Sequence, residues 1–503
     1  MKKRGLNLQG MVLSLVPVLA LVLAACGSGR ESSGAIGPDS GYGTMVSAAS
    51  ALQTTITKRP VTPNISDEAS FSFKCNQKKC AYKCQLDTEA WAACTSGQGY
   101  EKLLAGAHTF KVKAKDKATG IWDKSPASYT WMIDDGETTF IVNSKKIAAG
   151  GSHACVLNYK GGVKCWGWNT YGELGNGKYD STNVPVQVSG LTSGVTAITA
   201  GDSFTCALTS LGGAKCWGEN DDGELGAGLI VDKKNVPVNV SGLTSGVAAI
   251  AAGRNHVCAL TTGGAVKCWG SNSYGQLGDG NTADEFLNVP VQVVGLTSGV
   301  YGISAGEGHT CALLATGAVK CWGYGGEGQL GNGLTDNYTT PQSVSGLGSN
   351  QLAIASGWNH ACSLNDAHGI VCWGLNYSYQ IGDGTTAYER DTPVWVSGLT
   401  SGISAVASGS EHTCSLPTLG GVKCWGYGYT GCLGNSGNLN SNVPVDVNGL
   451  NSRVCAISSG NWFTCALNCN GSALCWGLGS SGQLGTGNNN DSNVPVSVSG
   501  FVY

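Results

Sequence analysis

Short runs of apolar and polar residues, each bounded by Gly or Asn, recur along most of the chain. One stretch shows the pattern clearly, because four runs follow one another at residues 247–251, 256–260, 265–269 and 289–293. Runs of about five residues between turn-forming residues are typical of β-strands, and the runs lack the apolar spacing of a helix. The pattern therefore predicts an all-β protein.

The four-run unit is repeated seven times between residues 147 and 503. The first cysteine of each unit marks a period of 51 to 53 residues: Cys155, Cys206, Cys258, Cys311, Cys362, Cys414 and Cys465. A period of this size with four strands in each unit predicts a propeller blade and not a helical solenoid. We therefore expect residues 137–503 to form a seven-bladed β-propeller.

Three different segments precede the predicted propeller. Residues 1–25 combine a basic start with an apolar stretch that is too short to span a membrane, as in a secretory signal peptide. Residues 26–58 are rich in Gly, Ser, Ala and Thr, which predicts a flexible tether. Residues 59–136 contain short alternating runs, such as 71–74 and 108–114, and are predicted to form a small β-sandwich.

Composition narrows the classes of protein that this chain can belong to. It has 77 glycines and only 13% charged residues, and a turn-dense repeat accounts for both. The net charge of -3 supplies no attraction for a polyanion, so no nucleic-acid partner is expected. Twenty-two cysteines are far more than a reducing compartment normally maintains without a redox or metal role, which indicates an oxidising compartment.

Most of these cysteines fall into a regular pattern. Each unit contains two cysteines separated by nine residues, and a short hairpin loop between them places them opposite each other on adjacent strands. Seven disulfides are predicted: Cys155–Cys165, Cys206–Cys216, Cys258–Cys268, Cys311–Cys321, Cys362–Cys372, Cys414–Cys424 and Cys465–Cys475. Uniform repetition argues against a metal or thiol-catalytic site, which would single out a few cysteines.

The other cysteines are less regular. In the sandwich we expect Cys84 to pair with Cys94 and Cys75 with Cys80, although four cysteines allow three pairings. Cys432, Cys455 and Cys469 are left over in the last two units; two of them can bridge, and the third then stays free or pairs between molecules.

Two residue types recur at equivalent positions of the units. Histidine stands two residues before the first cysteine in five units, as His153, His256, His309, His360 and His412, and Phe204 and Phe463 replace it in the other two. Because Phe substitutes for it, we interpret this position as one of packing and turn bonding, not as a metal or acid–base site.

The tryptophan of each Cys-Trp-Gly is predicted to pack between blades: Trp166, Trp217, Trp269, Trp322, Trp373, Trp425 and Trp476.

The apolar leader ends in Leu23-Ala24-Ala25-Cys26, which resembles the lipobox of bacterial lipoproteins. The resemblance implies that Cys26 is acylated and becomes the mature N-terminus, which anchors the chain in a membrane. No Asp follows Cys26, and in Gram-negative lipoproteins this favours the outer membrane. The alternative is an ordinary secretory signal with a cysteine at its boundary by chance.

The units resemble the repeats of the regulator of chromosome condensation family, as in ISAGEGHTCALLATGAVKCWGYGGEGQLGNG (303–333) and IAAGRNHVCALTTGGAVKCWGSNSYGQLGDG (250–280). The resemblance implies a seven-bladed propeller. The founding member acts on a nuclear small GTPase, and we expect no such partner for an exported chain. A plant ultraviolet receptor of similar architecture uses Gly-Trp-Arg-His repeats, of which this chain has only the variant at Trp358, so photoreception is not expected.

The segment before the propeller resembles small modules of bacterial surface proteins. KCQLDTEAWAAC (83–94) and LLAGAHTFKVKAKDKATG (103–120) are similar to parts of immunoglobulin-like or fibronectin-like domains. By this resemblance, residues 59–136 act as a spacer or an adhesion unit.

The parts in which the seven units differ are the best candidates for a binding function. The stretch after each Cys-Trp-Gly varies and contributes a candidate ligand face: Trp168, Tyr171, Tyr274, Tyr324, Tyr377, Tyr379, Tyr427 and Tyr429. Equivalent loops of a propeller gather on one face, and Tyr and Trp suit the binding of a protein or a sugar. Alternatively, these side chains merely cover blade edges.

No nucleophile elbow, HExxH, P-loop or Rossmann motif is present, so no catalytic, metal-binding or cofactor-binding residue is predicted. The sequence favours a non-enzymatic lipoprotein of the cell envelope that binds an unknown protein or glycan. Two alternatives are a structural or protective envelope component without a specific ligand and, less favoured, a propeller lyase or hydrolase whose charged residues meet at the channel.

Overall fold

The computed structural model describes residues 52–59, 68–133 apart from 88, 102, 104 and 105, and 146–501 apart from 229, 230, 284, 419, 452 and 453. Every regular element in these ranges is a β-strand, which confirms the all-β class. The predicted signal peptide, Cys26 and most of the predicted tether lie outside the described residues. In the described part, no helix is long and apolar enough to cross a membrane.

The first seven strands form two antiparallel sheets. They are β1 (Thr54–Lys58), β2 (Ala69–Cys75), β3 (Cys80–Leu86), β4 (Ala92–Cys94), β5 (Gln98–Tyr100), β6 (Gly106–Asp116) and β7 (Ala127–Ile133). One sheet has the order β1-β2-β5 and the other β4-β3-β6-β7. The predicted tether is therefore wrong at its carboxyl end, because its last residues, 54–58, pair with β2.

Alternation of apolar and polar residues builds the core of this sandwich. In β2, Phe71 and Phe73 are buried while the intervening Ser72 is not, and Phe71 stacks on Phe110 of the other sheet with 4.1 Å between ring centroids. Disulfides join Cys75 to Cys80 and Cys84 to Cys94, which is the pairing expected from the sequence.

Seven four-stranded antiparallel sheets follow, numbered here as sheets 1 to 7. Sheet 1 contains β8 (Ile147–Ala149), β9 (His153–Leu157), β10 (Val163–Gly167) and β11 (Thr182–Gln187), and sheet 2 contains β12 (Val195–Ala200), β13 (Phe204–Thr209), β14 (Ala214–Glu219) and β15 (Lys233–Asn239). Sheet 3 contains β16 (Val247–Ala252), β17 (His256–Thr261), β18 (Val266–Ser271) and β19 (Phe286–Gln292), and sheet 4 contains β20 (Val300–Ala305), β21 (His309–Leu314), β22 (Val319–Gly323) and β23 (Tyr338–Ser343).

Sheet 5 contains β24 (Gln351–Ser356), β25 (His360–Asn365), β26 (Ile370–Leu375) and β27 (Glu389–Trp395). Sheet 6 contains β28 (Ile403–Ser408), β29 (His412–Pro417), β30 (Lys423–Gly426) and β31 (Ser441–Asp446), and sheet 7 contains β32 (Val454–Ser459), β33 (Phe463–Asn468), β34 (Ala473–Gly477) and β35 (Ser492–Ser497).

The four strands of each sheet are consecutive in the chain. The first strand of every sheet contacts the first strands of its neighbours, and β32 contacts β8. The first and last sheets therefore meet.

A collar of seven glycines lies where the first strands end: Gly150, Gly201, Gly253, Gly306, Gly357, Gly409 and Gly460. A Cβ atom added to any one of them would lie within 2.8 Å of the carbonyl oxygen of the next collar glycine, and Gly460 meets Gly150 in this way. Only glycine allows the first strands to approach so closely around the ring.

The second and third strands of each sheet carry the paired cysteines. All seven predicted hairpin disulfides are present, with opposed cysteines and Cα–Cα distances of 4.0–4.1 Å. A tenth disulfide joins Cys455 to Cys469 and ties the first strand of sheet 7 to the end of its second. Cys432 is a free, buried thiol.

Adjacent sheets are joined by the repeated tryptophans. Each indole Nε1 donates a hydrogen bond to a backbone carbonyl of the preceding sheet, as from Trp217 to Glu173 at 2.7 Å. Trp166 of sheet 1 donates to Gln483 of sheet 7 at 2.8 Å, so the same bond closes the ring. These tryptophans are fully buried and pack between sheets, as predicted.

The repeated histidines also act between sheets. In four of them the imidazole Nε2 lies 2.7–2.9 Å from the Oγ1 of a threonine in the next sheet: His153–Thr205, His256–Thr310, His360–Thr413 and His412–Thr464. The imidazoles are buried, and in these four units the sequence did not indicate that the Nε2 atom reaches across the seam between sheets. Where the unit has Phe204 or Phe463, the equivalent residue of the next sheet is apolar, Val257 or Ala154.

Candidate functional site

Two sets of loops gather at one end of the seven sheets. Since consecutive strands are antiparallel, the turn between the first and second strands lies at the same end as the loop between the third and fourth. We call this end, with the glycine collar, the upper face. The opposite end, with the cysteine hairpins and the connections between sheets, is the lower face.

A side-chain amide organises the upper loops. In sheet 1, Asn169 is buried, accepts a hydrogen bond from the backbone of Leu174 at 2.9 Å and donates one to the carbonyl of Lys178 at 3.1 Å. In sheet 4 a glycine occupies the equivalent position, and its backbone amide donates instead to Asn337 at 3.0 Å. The loop backbone is thus held rigid, so its variable side chains are displayed on a fixed frame.

All eight predicted ligand-face residues lie on the upper face. Trp168, Tyr274, Tyr377 and Tyr429 are exposed. The other four, Tyr171, Tyr324, Tyr379 and Tyr427, are half-buried.

Ring contacts join some of these residues but not all of them. Tyr274 of sheet 3 meets Tyr324 of sheet 4 with 4.9 Å between ring centroids, and Tyr427 meets Tyr429 at 5.5 Å. Tyr377 contacts Tyr388, which the sequence did not single out, at 6.2 Å. The predicted residues therefore form separate groups.

Tyr379 has an unusual backbone conformation. Its φ of 71° lies in the left-handed region, which L-residues other than Asn and Asp seldom occupy. The other six sheets have glycine at this position, such as Gly172 and Gly482. Sheet 5 thus places a tyrosine on the upper face at a cost in backbone strain.

The turns after the collar glycines surround a cavity of about 70 Å³ at the channel mouth. The residue that follows the glycine differs in every sheet: Gly151, Asp202, Arg254, Glu307, Trp358, Ser410 and Asn461. Arg254 pairs with Asp202 at 3.7 Å and with Glu307, and its guanidinium lies 5.5 Å from the ring centroid of Trp358. Asn461 of sheet 7 donates to Asp202 at 2.9 Å.

Two tryptophans meet beside this mouth. Trp358 of sheet 5 and Trp462 of sheet 7 pack edge to face, with 5.8 Å between ring centroids. The expectation of one isolated tryptophan is therefore incomplete, because Trp462 occupies the second position after its collar glycine and falls outside a Gly-Trp pattern. Comparing the seven repeats position by position would have revealed both, since the turn varies while the collar does not.

Negative charge dominates the upper face. Its carboxylates include Asp202, Glu219, Asp221, Asp222, Glu307, Glu327, Glu389 and Glu411. Burial and the charge of Asp221 raise the pKa of Glu219, and the charge of Glu327 raises the pKa of Tyr388. Lysines gather at the lower face instead: Lys160, Lys164, Lys215, Lys267, Lys320 and Lys423.

The buried histidines are poor candidates for acid–base catalysis at neutral pH. Burial lowers the pKa of His153 to about 4 and that of His256 to about 3, so both imidazoles are neutral. Their Nε2 atoms are engaged by threonine. In the described ranges, no group of three or more His, Cys, Asp or Glu side chains could hold a metal ion.

Comparison with known proteins decides the family. The family model described as the RCC1-like domain matches residues 124–413 and 235–502. The ultraviolet-B receptor UVR8 of Arabidopsis thaliana is 31% identical over 357 residues, which are 69% of this chain and 80% of the receptor. The chain belongs to the RCC1-like domain family. The predicted family membership is thus confirmed.

Other members share less of their length with this chain. The mitochondrial RCC1 domain-containing protein RUG3 of Arabidopsis thaliana is 31% identical over 288 residues, which are 54% of this chain and 64% of that protein. The E3 ubiquitin-protein ligase HERC2 of Homo sapiens is 32% identical over 308 residues, 59% of this chain but only 6% of the ligase.

Solved structures support the same fold. Yeast RCC1 (Prp20), in a structure with Kap60, has a TM-score of 0.62 at 23% identity, covering 68% of this chain and 84% of that one. Human WBSCR16 has a TM-score of 0.60 at 24% identity, covering 67% and 94%. At this level of identity the similarity establishes an RCC1-like propeller fold and no activity.

Proposed function

We propose that the chain is an exported lipoprotein of the cell envelope that displays a seven-bladed propeller as a non-enzymatic binding scaffold for a protein or glycan. The observation that carries this proposal is the convergence of exposed aromatic side chains, held on rigid loops from several sheets, at one end of the ring. Aromatic side chains contribute large contact areas at a low cost in conformational entropy.

The disulfides support an extracytoplasmic location. Ten bridges among the described residues are typical of an oxidising compartment, and the Leu23-Ala24-Ala25-Cys26 sequence supplies the route to it. We place the chain in the outer membrane through an acyl group on Cys26, and expect it to meet neither nucleic acid nor a small GTPase there. Residues 54–133 then serve as an immunoglobulin-like or fibronectin-like spacer.

A binding role agrees better with the channel mouth than catalysis does. Asp202 lines the cavity, and Asp202 and Glu307 share one cation, because both pair with Arg254. A catalytic carboxylate needs a pKa matched to proton transfer or a free position facing a substrate. Protein binding also has a precedent in the family, because the structure of yeast RCC1 contains bound Kap60.

Lipidation is tested by metabolic labelling with an alkyne-bearing palmitate. The full chain is expected to take up the label and to fractionate with the outer membrane, while Cys26→Ser loses both properties. Label retained in Cys26→Ser, or a chain released to the medium without label, would contradict the anchor.

Binding is tested by transplanting the residues of sheet 7 into the aromatic loops. With Tyr377→Ser and Tyr379→Gly, residues 377–379 of sheet 5 match Ser480-Ser481-Gly482, which occupy the equivalent positions of sheet 7. This sequence therefore already folds in the same loop of this protein. We expect the variant to bind less to intact cells, as measured by flow cytometry of the fluorescently labelled chain. Unchanged binding after the same exchange in sheets 3, 5 and 6 would reject the aromatic face.

A further inference from the structure

The upper face already binds two of the chain's own cations. The Lys233 ammonium lies 5.6 Å from the ring centroid of Tyr171 and 4.8 Å from that of Tyr179, and it donates to the carbonyl of Thr170 at 3.2 Å. Arg254 lies over Trp358 between two carboxylates. In both places an aromatic ring and oxygen acceptors hold one cation, which is a favourable combination for ammonium and guanidinium groups.

Loops of sheets 4 and 5 repeat this combination of aromatic rings and a carboxylate at Tyr324, Tyr388 and Glu327. Burial raises the pKa of Tyr324, and the charges of Glu327 and of Tyr388 on the neighbouring sheet raise it further. The Tyr388 hydroxyl donates a hydrogen bond to Glu327. Tyr388 and Tyr377 are 56% and 71% exposed, so their rings are accessible. Within the described part of the chain, neither Glu327 nor Glu389 forms an ion pair with Lys or Arg.

Like charges crowd this site. Burial, followed by the charge of Glu389, raises the pKa of Glu327, which shows that its ionised form is disfavoured where it stands. A bound cation would offset the repulsion between the carboxylates of Glu327 and Glu389, whereas a neutral sugar would leave that repulsion in place. Charge complementarity therefore distinguishes a cationic ligand from a neutral glycan.

A single glycine seats the tyrosine pair beside the site. A Cβ atom on Gly308 would lie 2.9 Å from the ring Cδ2 of Tyr274 and 3.2 Å from the Cβ of Tyr324. Other sheets have larger residues here, such as Asn359 and Trp462. The glycine of sheet 4 therefore leaves space for two tyrosine rings, and the larger residues of the other sheets would fill that space.

Resting on the binding role proposed above, we propose that the partner is a protein segment presenting lysine or arginine side chains, and that Tyr324, Tyr388 and Glu327 receive one of them. The ammonium or guanidinium group lies against the tyrosine rings with the Glu327 carboxylate beside it. The neighbouring acidic residues of the upper face then attract the rest of a basic segment.

The test is fluorescence anisotropy of the full chain with a labelled octapeptide that alternates lysine and serine. A second peptide with norleucine for lysine has the same length without charge. We expect the lysine peptide to bind and the norleucine peptide to bind at least about tenfold more weakly. Tyr388→Leu should weaken lysine-peptide binding about twofold to thirtyfold, while Tyr388→Phe, which keeps the ring, stays within about twofold of the native chain.

Two further variants and a control make the test specific. Glu327→Gln should weaken binding and reduce its dependence on salt, and Gly308→Ala should weaken it by displacing the tyrosine pair. Tyr301→Leu removes a 73% exposed tyrosine from the lower part of sheet 4 and should change nothing. Equal binding of both peptides, or equal loss in Tyr388→Leu and Tyr388→Phe, would overturn the cation site.

The outcomes also separate this inference from the proposed scaffold. If a neutral peptide or oligosaccharide binds and depends on the same tyrosines, the cationic class is wrong but the upper binding face stands. If Tyr301→Leu weakens binding as much as Tyr388→Leu, neither the site nor the face is supported.

Discussion

Replacing Glu224 by glutamine should stabilise the protein, and should do so much more at pH 8 than at pH 5. Glu224 is fully buried, and its Oε2 accepts a hydrogen bond from the backbone of Asp222 at 3.0 Å. Its Oε1 has no hydrogen-bond partner among the described residues. Four other sheets have glutamine here, and the neutral amide oxygen of Gln276 accepts the equivalent hydrogen bond from the backbone of Tyr274 at 2.9 Å.

The magnitude follows from the pKa. Burial raises the pKa of Glu224 from its ordinary 4.5 to about 8. Between these values the unfolded chain releases a proton that the folded chain keeps, so the free energy of unfolding falls as pH rises. At about 1.4 kcal/mol per pH unit the loss reaches at most about 5 kcal/mol at pH 8, against less than about 1 kcal/mol at pH 5.

The assay is thermal unfolding of the native chain and Glu224→Gln at pH 5 and pH 8. For roughly 350 residues in seven sheets, each kcal/mol moves Tm by roughly 1.3 °C, so the variant should gain about 3–6 °C at pH 8 and about 1 °C at pH 5. Gln276→Glu should show the opposite pH dependence, and the exposed Glu285→Gln should have no effect. Equal shifts at both pH values, or destabilisation at pH 8, would refute the reasoning.

Three further changes test the repeat architecture. Replacing both Cys311 and Cys321 by alanine should cost about 3 kcal/mol of unfolding free energy, measured by denaturant unfolding without reductant, because each bridge closes a short loop. Ala361→Thr should add about 1 kcal/mol by supplying the hydroxyl that His309 lacks in the next sheet; destabilisation would show that the seam has no room for it. Tyr379→Gly should raise the thermal midpoint by removing about 1–2 kcal/mol of backbone strain, and a lower midpoint would show that its ring contributes more to stability than the strain costs.

Features set by one repeat could be predicted from the sequence. The spacing of Cys258 and Cys268 determines that they face each other across a hairpin, and the structure places them in register. The local alternation in β2 likewise indicates a half-buried strand. In each case the interacting residues are near in sequence, so periodicity and turn chemistry suffice.

Features set between repeats were predicted less well. The pairing of His256 with Thr310, and of Phe204 with Val257, depends on residues about fifty positions apart, and it becomes visible only when each repeat is compared with the next. The Tyr274–Tyr324 contact requires Gly308 in a third segment. Aromatic composition alone therefore indicated the upper face but not which side chains meet on it.

The tether boundary shows a different limit. Residues 54–58 were assigned by composition, in which threonine is typical of linkers. The structure uses the β-branched Thr54, Thr55 and Ile56 in a strand, and both the backbone amide and the hydroxyl of Thr54 donate to the buried Asp123 at 2.7 Å. That partner lies about seventy residues away, beyond the reach of a composition argument.

The measurement that tests the central claim most directly compares the two faces in one binding assay on intact cells. The upper variant carries Tyr274→Ser, Tyr377→Ser, Tyr379→Gly and Tyr429→Ser, which are the residues of sheet 7 at those positions. The lower variant carries Tyr159→Ser, Leu211→Thr and Tyr301→Ser, all highly exposed in the native chain. We predict that the upper variant loses binding while the lower variant binds like the native chain; loss in the lower variant alone, or equal binding by all three proteins, would contradict a binding face at the upper end.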